Sequence, residues 1–330
     1  MKTRMIGGQS VSALGIGAMS FADFYGPTSE ENSFAILDLA REVGVSHIDT
    51  SNVYGMGRSE RTIGAWLAAN PGARDGIHLA TKGGITKDAS GARAFDNSAA
   101  HLEGALEASL ERLGVDHVDL YYVHRYDISR PVEEVAEVMG GLIAKGKIRA
   151  WGLSETAPAT LRRAHAVQPV AAVQSEYSLS TRLPELGLVQ ACAELGAALV
   201  AFSPVGRSLL TDAPISLERA AENPFLKTNP RFQEPNYSAN LAQIAGFRAL
   251  AADLGLPTAG LAIAWLLSRG EHVVPIPGTR SVAHFREYLA GVEAELSAED
   301  LARIEAVLPV GWAHGDRYSD AQWHGPERYC

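Results

Sequence analysis

Short apolar runs at 14–17, 45–48, 77–81, 118–123, 148–153, 170–174, 197–202 and 273–276 punctuate the chain, and most lead into stretches with apolar residues at helical spacing. Runs of that length read as buried strands, and a spacing near 3.6 reads as amphipathic helix. The helical stretches fall at 31–43, 59–69, 97–113, 131–144, 157–165 and 184–195, with another opening near Arg280 and running to about Tyr288. Local stop and start signals agree. Asn70-Pro71-Gly72 ends one helix, Asn97-Ser98 caps the next, and Gly114 sits just past its end. Strands alternating with helices imply a parallel sheet with the helices outside. Eight such strands suit an α/β fold of the closed (β/α)8 TIM barrel type better than an open doubly wound sheet. The lack of Gly-x-Gly-x-x-Gly between the first strand and its helix points the same way.

Two stretches break the alternation. Gly7-Gly8, between Ile6 and Gln9, predicts a small N-terminal β-hairpin. Residues 203–238 hold Pro204, Pro214, Pro224, Pro230 and Pro235 with little periodicity, and read as a long loop at the C-terminal face of the barrel. Loops of that length inside a compact domain are usually functional covers or disordered inserts.

Composition narrows the class. A chain of 330 residues, 46% hydrophobic and 20% charged, suits one soluble barrel domain over 1–330. The net charge of −9 argues against a general nucleic-acid or membrane-surface role, both of which favour a basic face. Two cysteines, Cys192 and Cys330, build no disulfide framework, and two free thiols in a reducing compartment are expected. The start, Met1-Lys2-Thr3-Arg4, leads into turn residues rather than an apolar leader, and no apolar run is long enough to span a bilayer. A cytoplasmic protein is therefore expected. No Cys/His spacing suggests a metal site, and neither a phosphate-binding Gly-x-x-x-x-Gly-Lys-Ser/Thr nor a Gly-x-Ser-x-Gly occurs. Nothing in the pattern specifies an oligomer.

Chemistry enters through four polar residues. Asp49, Lys82 and His124 each stand at or just past the end of an apolar run, and Tyr54 lies in the loop after the first of these. In a parallel barrel the ends of different strands meet at one face, so these four can share a pocket. A phenol with a nearby ammonium has its charged form favoured, and a carboxylate holds the ammonium in place. Tyr54 is then the proton donor, Lys82 and Asp49 its tuning pair, and His124 the group that orients a carbonyl. Singly, each reads more readily as an ordinary loop or surface residue; together, in this order at strand ends, they read as a site.

Asp49-Thr50-Ser51-Asn52-Val53-Tyr54-Gly55, Ala80-Thr81-Lys82 and Leu120-Tyr121-Tyr122-Val123-His124-Arg125 closely resemble the corresponding motifs of the aldo-keto reductases. The resemblance runs from about residue 5 to 320. It includes Asn229-Pro230-Arg231-Phe232 and Gly315-Asp316-Arg317-Tyr318, which are similar to segments of one branch of single-chain reductases. It implies that the hairpin plugs the barrel bottom, and that the cofactor is NADPH rather than NADH. Ile276-Pro277-Gly278-Thr279-Arg280 looks like the family's 2′-phosphate segment, and a helix N-terminus there also suits an anion. His284 and Glu287 would add adenosine contacts, while Tyr288 departs from the Asn common in relatives. Ser154 and Gln174 would bond the nicotinamide carboxamide, with Glu155 standing where many relatives carry Asn. Phe202 would stack on the nicotinamide ring, and Ser203, Pro204, Val205, Gly206 and Arg207 would wrap the pyrophosphate. Gly17, Ala18 and Met19 would lie near the nicotinamide ribose, and Asp49 also beside the cofactor.

The expected activity is reversible, NADPH-dependent reduction of an aldehyde or ketone to an alcohol, with a small-molecule carbonyl substrate. Phe24, Tyr25 and Arg125 are substrate-pocket candidates because they fall near the expected top face. Two other readings use the same residues. Lys82 as a nucleophile would make a Schiff-base aldolase, and cofactor binding with little turnover would make a regulatory NADPH-binding subunit.

Overall fold

The computed structural model describes residues 1–329. It opens with an antiparallel hairpin, β1 (Thr3–Ile6) and β2 (Gln9–Ser12), joined by Gly7 and Gly8 at φ of 56° and 81°. Both turn residues occupy the left-handed region that favours glycine. The barrel strands follow: β3 (Gly15–Gly17), β4 (His47–Asp49) and β5 (His78–Gly83). A second small hairpin, β6 (Ile85–Lys87) and β7 (Arg93–Phe95), precedes the next barrel strands, β8 (Val118–Val123) and β9 (Ile148–Ser154). The last three are β10 (Ala172–Glu176), β11 (Ala198–Phe202) and β12 (Val273–Ile276). All eight barrel strands pair in parallel, in chain order. The two outer strands meet where Gly17 N donates to Pro277 O at 3.0 Å. The chain is a (β/α)8 barrel.

Helices surround it: α1 (Glu30–Glu42), α2 (Arg58–Ala69), α3 (Ala99–Leu113), α4 (Val132–Ala144), α5 (Pro158–Val167) and α6 (Leu188–Leu195). Ser98 caps α3 through the His101 N–H and Gly114 closes it in the left-handed region, as their residue types predict. Beyond β11 come α7 (Leu217–Glu222), α8 (Asn236–Asp253) and α9 (Thr258–Leu267). After β12 come α10 (Val282–Glu293) and α11 (Ala298–Val307).

Alternation along the strands separates two cores. Ile16, Ile48, Leu79, Tyr121, Val123, Trp151, Leu153, Val173 and Leu199 pack outward against the helices. Inside, Ala80, Leu120, Tyr122, Ala172, Ala198, Val200, Val274 and Ile276 form a separate cluster closed below by Ile6 and Val11 of the hairpin. A Cβ on Gly7 would sit 3.0 Å from the Cβ atoms of Ala150 and Ala171, so the turn lies against the barrel mouth it seals.

The structure departs from the sequence expectation in three places. Strands β4, β5, β9 and β10 run further towards their C-terminal ends than the apolar runs do, taking in Asp49, Lys82, Ser154, Ser175 and Glu176. Asp49, Lys82, Ser154 and Glu176 keep the inward parity of their strands, so the ladder continues where hydrophobicity stops. Residues 203–238 are not one open loop. They hold α7, three single turns and a small core of Leu209, Ala220, Leu226, Phe232 and Tyr237. Finally, α8 and α9 fill a region without a clear amphipathic stripe. Thr258 to Leu266 are buried throughout, and a helix apolar all round shows no periodicity. Among the described residues no single helix is long and apolar enough to cross a membrane.

Helices α9 and α10 touch backbone to backbone. A Cβ on Gly291 would fall 2.1 Å from Gly260 O, and one on Gly260 would fall 2.9 Å from Glu287 O. Cys192 is a buried free thiol, and Cys330 lies outside the described residues.

Candidate active site

Inward parity decides what reaches the top of the barrel. On β5, Ala80 faces the interior cluster, so Lys82 two residues on faces inward as well. The same alternation turns Asp49 inward on β4 and Gln174 inward on β10. Asp49 and Lys82 form a buried ion pair, exposed by only 2% and 0% at their side chains. Lys82 Nζ also donates to Thr50 O at 2.8 Å and to Tyr54 Oη at 3.3 Å, and it lies 5.0 Å from the Tyr54 ring centroid. Gln174 Nε2 donates to the second Asp49 oxygen at 2.8 Å. Both oxygens of a carboxylate that burial would otherwise neutralise are therefore engaged.

Burial pushes Asp49 up, with Lys82 opposing. For Lys82, burial works against the charge, but Asp49 and Tyr54 outweigh it and leave the amine above its ordinary value. His124 meets Tyr54 edge-on, ring centroids 5.8 Å apart, and its Nδ1 is 3.0 Å from Ser51 Oγ. Burial first, then the charges of Arg125, Lys82 and Arg93, hold this imidazole well below the ordinary histidine range, so it is neutral near pH 7.

These groups open into a cavity of about 950 Å³. Asp49, Tyr54 and His124 line it, with Lys82 buried behind them. Gly17, Met19, Ser154, Gln174, Phe202, Ser203, Pro204, Val205, Arg207, Ile276, Gly278, Thr279, Arg280, His284 and Glu287 also line it, as do Phe24, Tyr25 and Arg125. Ala18 and Gly206 do not; Ala18 is fully buried beneath the wall. Arg207 reaches the cavity at φ +55°, yet its guanidinium is ion-paired with buried Glu176 and lies between the rings of Phe225 and Tyr318. Among the described residues no cluster of three or more His, Cys, Asp or Glu side chains is arranged to hold a metal.

The cavity walls suit a long, anionic and partly aromatic cofactor. Near Gly278 the backbone is tight: a Cβ there would fall 2.9 Å from Gly17 O, and one on Gly17 would fall 2.7 Å from Ile276 O. The first turn of α10 beyond it contains no acidic residue, and Arg280 stands before it, its Nη1 donating to Pro27 O at 2.9 Å. A helix N-terminus next to a guanidinium suits a phosphate. Phe202, partly exposed at the end of β11, presents an aromatic face for a planar ring.

Sequence reasoning missed the partners or roles of several groups around the site. Glu155 is buried and ion-paired with Arg317, whose guanidinium stacks on Tyr318 and Trp323. That pairing spans 162 positions, and no local pattern marks it. Ser51 has a weak signal, its place between Asp49 and Tyr54. Arg93, on a hairpin not anticipated, has none.

The chain matches the Aldo/keto reductase family over residues 13–309. It belongs to that family. It is 38% identical over 320 residues to the NADP(+) aldo-keto reductase yakc of Schizosaccharomyces pombe, covering 96% of this chain and 94% of that protein. It is 36% identical over 324 residues to probable aldo-keto reductase 1 of Glycine max, covering 98% and 93%. Among solved structures, the glycerol dehydrogenase AKR11B4 from Gluconobacter oxydans aligns with TM-score 0.81 at 27% identity, covering 93% of this chain and 94% of that one. The holo form of aldo-keto reductase AKR11C1 from Bacillus halodurans aligns with TM-score 0.76 at 26% identity, covering 98% and 99%.

Proposed function

We propose that this aldo-keto reductase uses NADPH to reduce an aldehyde or ketone to the alcohol, with Tyr54 as general acid. The bond from Lys82 Nζ to Tyr54 Oη, backed by Asp49, carries the reading. When the phenol gives up its proton, the phenolate is met by an ammonium already in place. NADPH, when bound, supplies the hydride that no side chain can. Gly278, Thr279, Arg280, His284 and Glu287 would hold its adenosine phosphate end. Ser154 and Gln174 would meet the carboxamide, with Phe202 against the ring and Gly17 and Met19 beside its ribose. Ser203 to Val205 would lie along the pyrophosphate, while Arg207 shapes that wall from its pair with Glu176.

Neutral His124 presents Nε2 as a hydrogen-bonding group for the substrate oxygen, its Nδ1 held by Ser51. Tyr54 donates its proton to that oxygen as charge develops there, and takes it back in the oxidation direction. The aldolase alternative asks Lys82 for a free, unprotonated amine. An amine enclosed by Asp49, Thr50 and Tyr54 and raised above its ordinary value opposes that role.

The test is a fluorescence titration with NADPH followed by loss of its absorbance with a panel of carbonyl compounds. Saturable binding with turnover is expected. Tight binding without turnover on any compound would favour the regulatory subunit instead.

A further inference from the structure

The substrate end of the cavity carries positive charge that its own acidic residues do not balance. Lys82 is paired with Asp49, Arg207 with Glu176, and Arg317 with Glu155. Arg219 and Arg280 line the cavity together on the α10 side, and at this end two further guanidiniums are left over, Arg93 and Arg125. Among the described residues the Arg93 side chain has no ion pair and no hydrogen bond, and the Phe95 ring lies 5.4 Å from its guanidinium carbon. Arg125 is 8% exposed, and its Nη1 donates to His124 O at 2.6 Å and to Ser154 Oγ at 3.0 Å. Its Nε is buried with no partner at all. Glu155 feels the Arg125 charge, but its carboxylate is committed to Arg317.

Two like charges facing one partly desolvated space repel. Arg93 is exposed at the rim, yet partial desolvation of its guanidinium and then the Arg125 charge bring it down to about 10. A chain of net charge −9 that nevertheless assembles unmatched guanidiniums close enough to act on His124 has a local field opposite to its global one. The planar, multiply donating guanidinium is also the side chain best matched to carboxylate and phosphate oxygens. Arg125 directly follows His124, which ties this charge to the group that orients the carbonyl.

We infer that the physiological substrate is an anionic carbonyl compound, its carboxylate or phosphate held by Arg93 and Arg125 while its carbonyl meets Tyr54 and His124. This rests on the carbonyl-reduction reading and narrows its substrate class. Arg93 reaches in from the β6–β7 hairpin at the rim, so it sets specificity without supporting the barrel. On that reading the adenosine phosphate of the cofactor would lie with Arg280 and the start of α10, and its pyrophosphate along Ser203 to Val205.

Two matched pairs test this with NADPH at low ionic strength: 4-oxobutanoate against butanal, and glyceraldehyde 3-phosphate against glyceraldehyde. The anion of at least one pair is expected to exceed its neutral partner in kcat/KM about tenfold or more, a preference that shrinks with added salt. Whichever pair responds tells carboxylate from phosphate. Arg93→Gln should lower that anion-to-neutral ratio about tenfold, and Arg93→Lys should keep part of it. Equal or better use of both neutral partners overturns the inference, as does a ratio that Arg93→Gln leaves intact. Binding is measured separately, by fluorescence titration of butanoate against butanamide with NADP+ present. Saturable binding of butanoate alone, lost in Arg93→Gln, supports the anion site even if none of the four aldehydes turns over, a result that would sink the reductase reading by itself. Equal binding of butanoate and butanamide overturns a carboxylate site, and inorganic phosphate, run in the same titration, decides the other arm.

Discussion

Strands β4 and β5 carry an ionisable pair at each end, and the barrel treats the two pairs in opposite ways. At the hairpin end His47 Nδ1 lies 2.9 Å from His78 Nδ1, both rings buried. Such a contact needs one ring to donate and the other to accept, so it exists only with a neutral partner. Burial drives His47 down to about 4, and burial together with His47 drives His78 down to about 3. Two residues further along β4 and four along β5, Asp49 and Lys82 are equally buried but stay charged, each the other's counterion. The sealed end keeps its groups neutral. The open end keeps them ionised beside a cavity, where a proton can be passed. Burial alone does not decide the charge state; the partner does.

The contrast can be broken most directly at the open end. Tyr54→Phe should cut carbonyl reduction by about 10²–10⁴-fold in steady-state assays, with the thermal midpoint nearly held, because it removes only the hydroxyl that carries the proton. Activity that survives largely intact would remove Tyr54 from the role of donor. Lys82→Met leaves Asp49 charged, buried and without its counterion, so denaturant unfolding should show a loss of about 3–5 kcal/mol in addition to lost turnover. An unchanged unfolding midpoint would mean that the two ends are not held differently. Arg280→Ala should lower the preference for NADPH over NADH about 10- to 100-fold, read as the ratio of kcat/KM values.

The smallest effect belongs to the hairpin end. Both imidazoles have folded-state values below the unfolded value of about 6.5, so the unfolded chain binds more protons as pH falls. Their contribution to stability is fully present above about pH 6.5 and is lost as pH falls towards 4. Thermal melts over that window should show a declining midpoint, with a shallower slope for His78→Gln. Turnover near neutral pH should not follow.

Much of the barrel is legible in the chain because strand and helix patterns alternate and because Ser98, Gly114 and Gly7-Gly8 mark their turns by residue type. Asp49, Lys82 and His124 are legible for a different reason: ionisable side chains at the ends of apolar runs are out of place unless something uses them. The same rule fails for Glu155 and Arg317, whose partner lies far away in sequence. It fails for α9 because burial on every side erases the period that identifies a helix, and for α8 because its exposed face carries Ala242, Ala245 and Ala249, which differ little in hydrophobicity from the buried face. The segment 203–238 reads as a loop because its small core rests on scattered residues such as Leu209, Phe232 and Tyr237 rather than on a repeat.

The glycine contact between α9 and α10 has reach beyond packing. Because Gly260 and Gly291 let two main chains lie against each other, the distance between those rods is set by the absence of two methyl groups. The rod carrying Gly291 begins beside Arg280, at the far end from Tyr54. A single carbon wedged between the rods would tilt that beginning, so if Arg280 holds the reductant as proposed, two residues that never touch it would help set how tightly it is gripped.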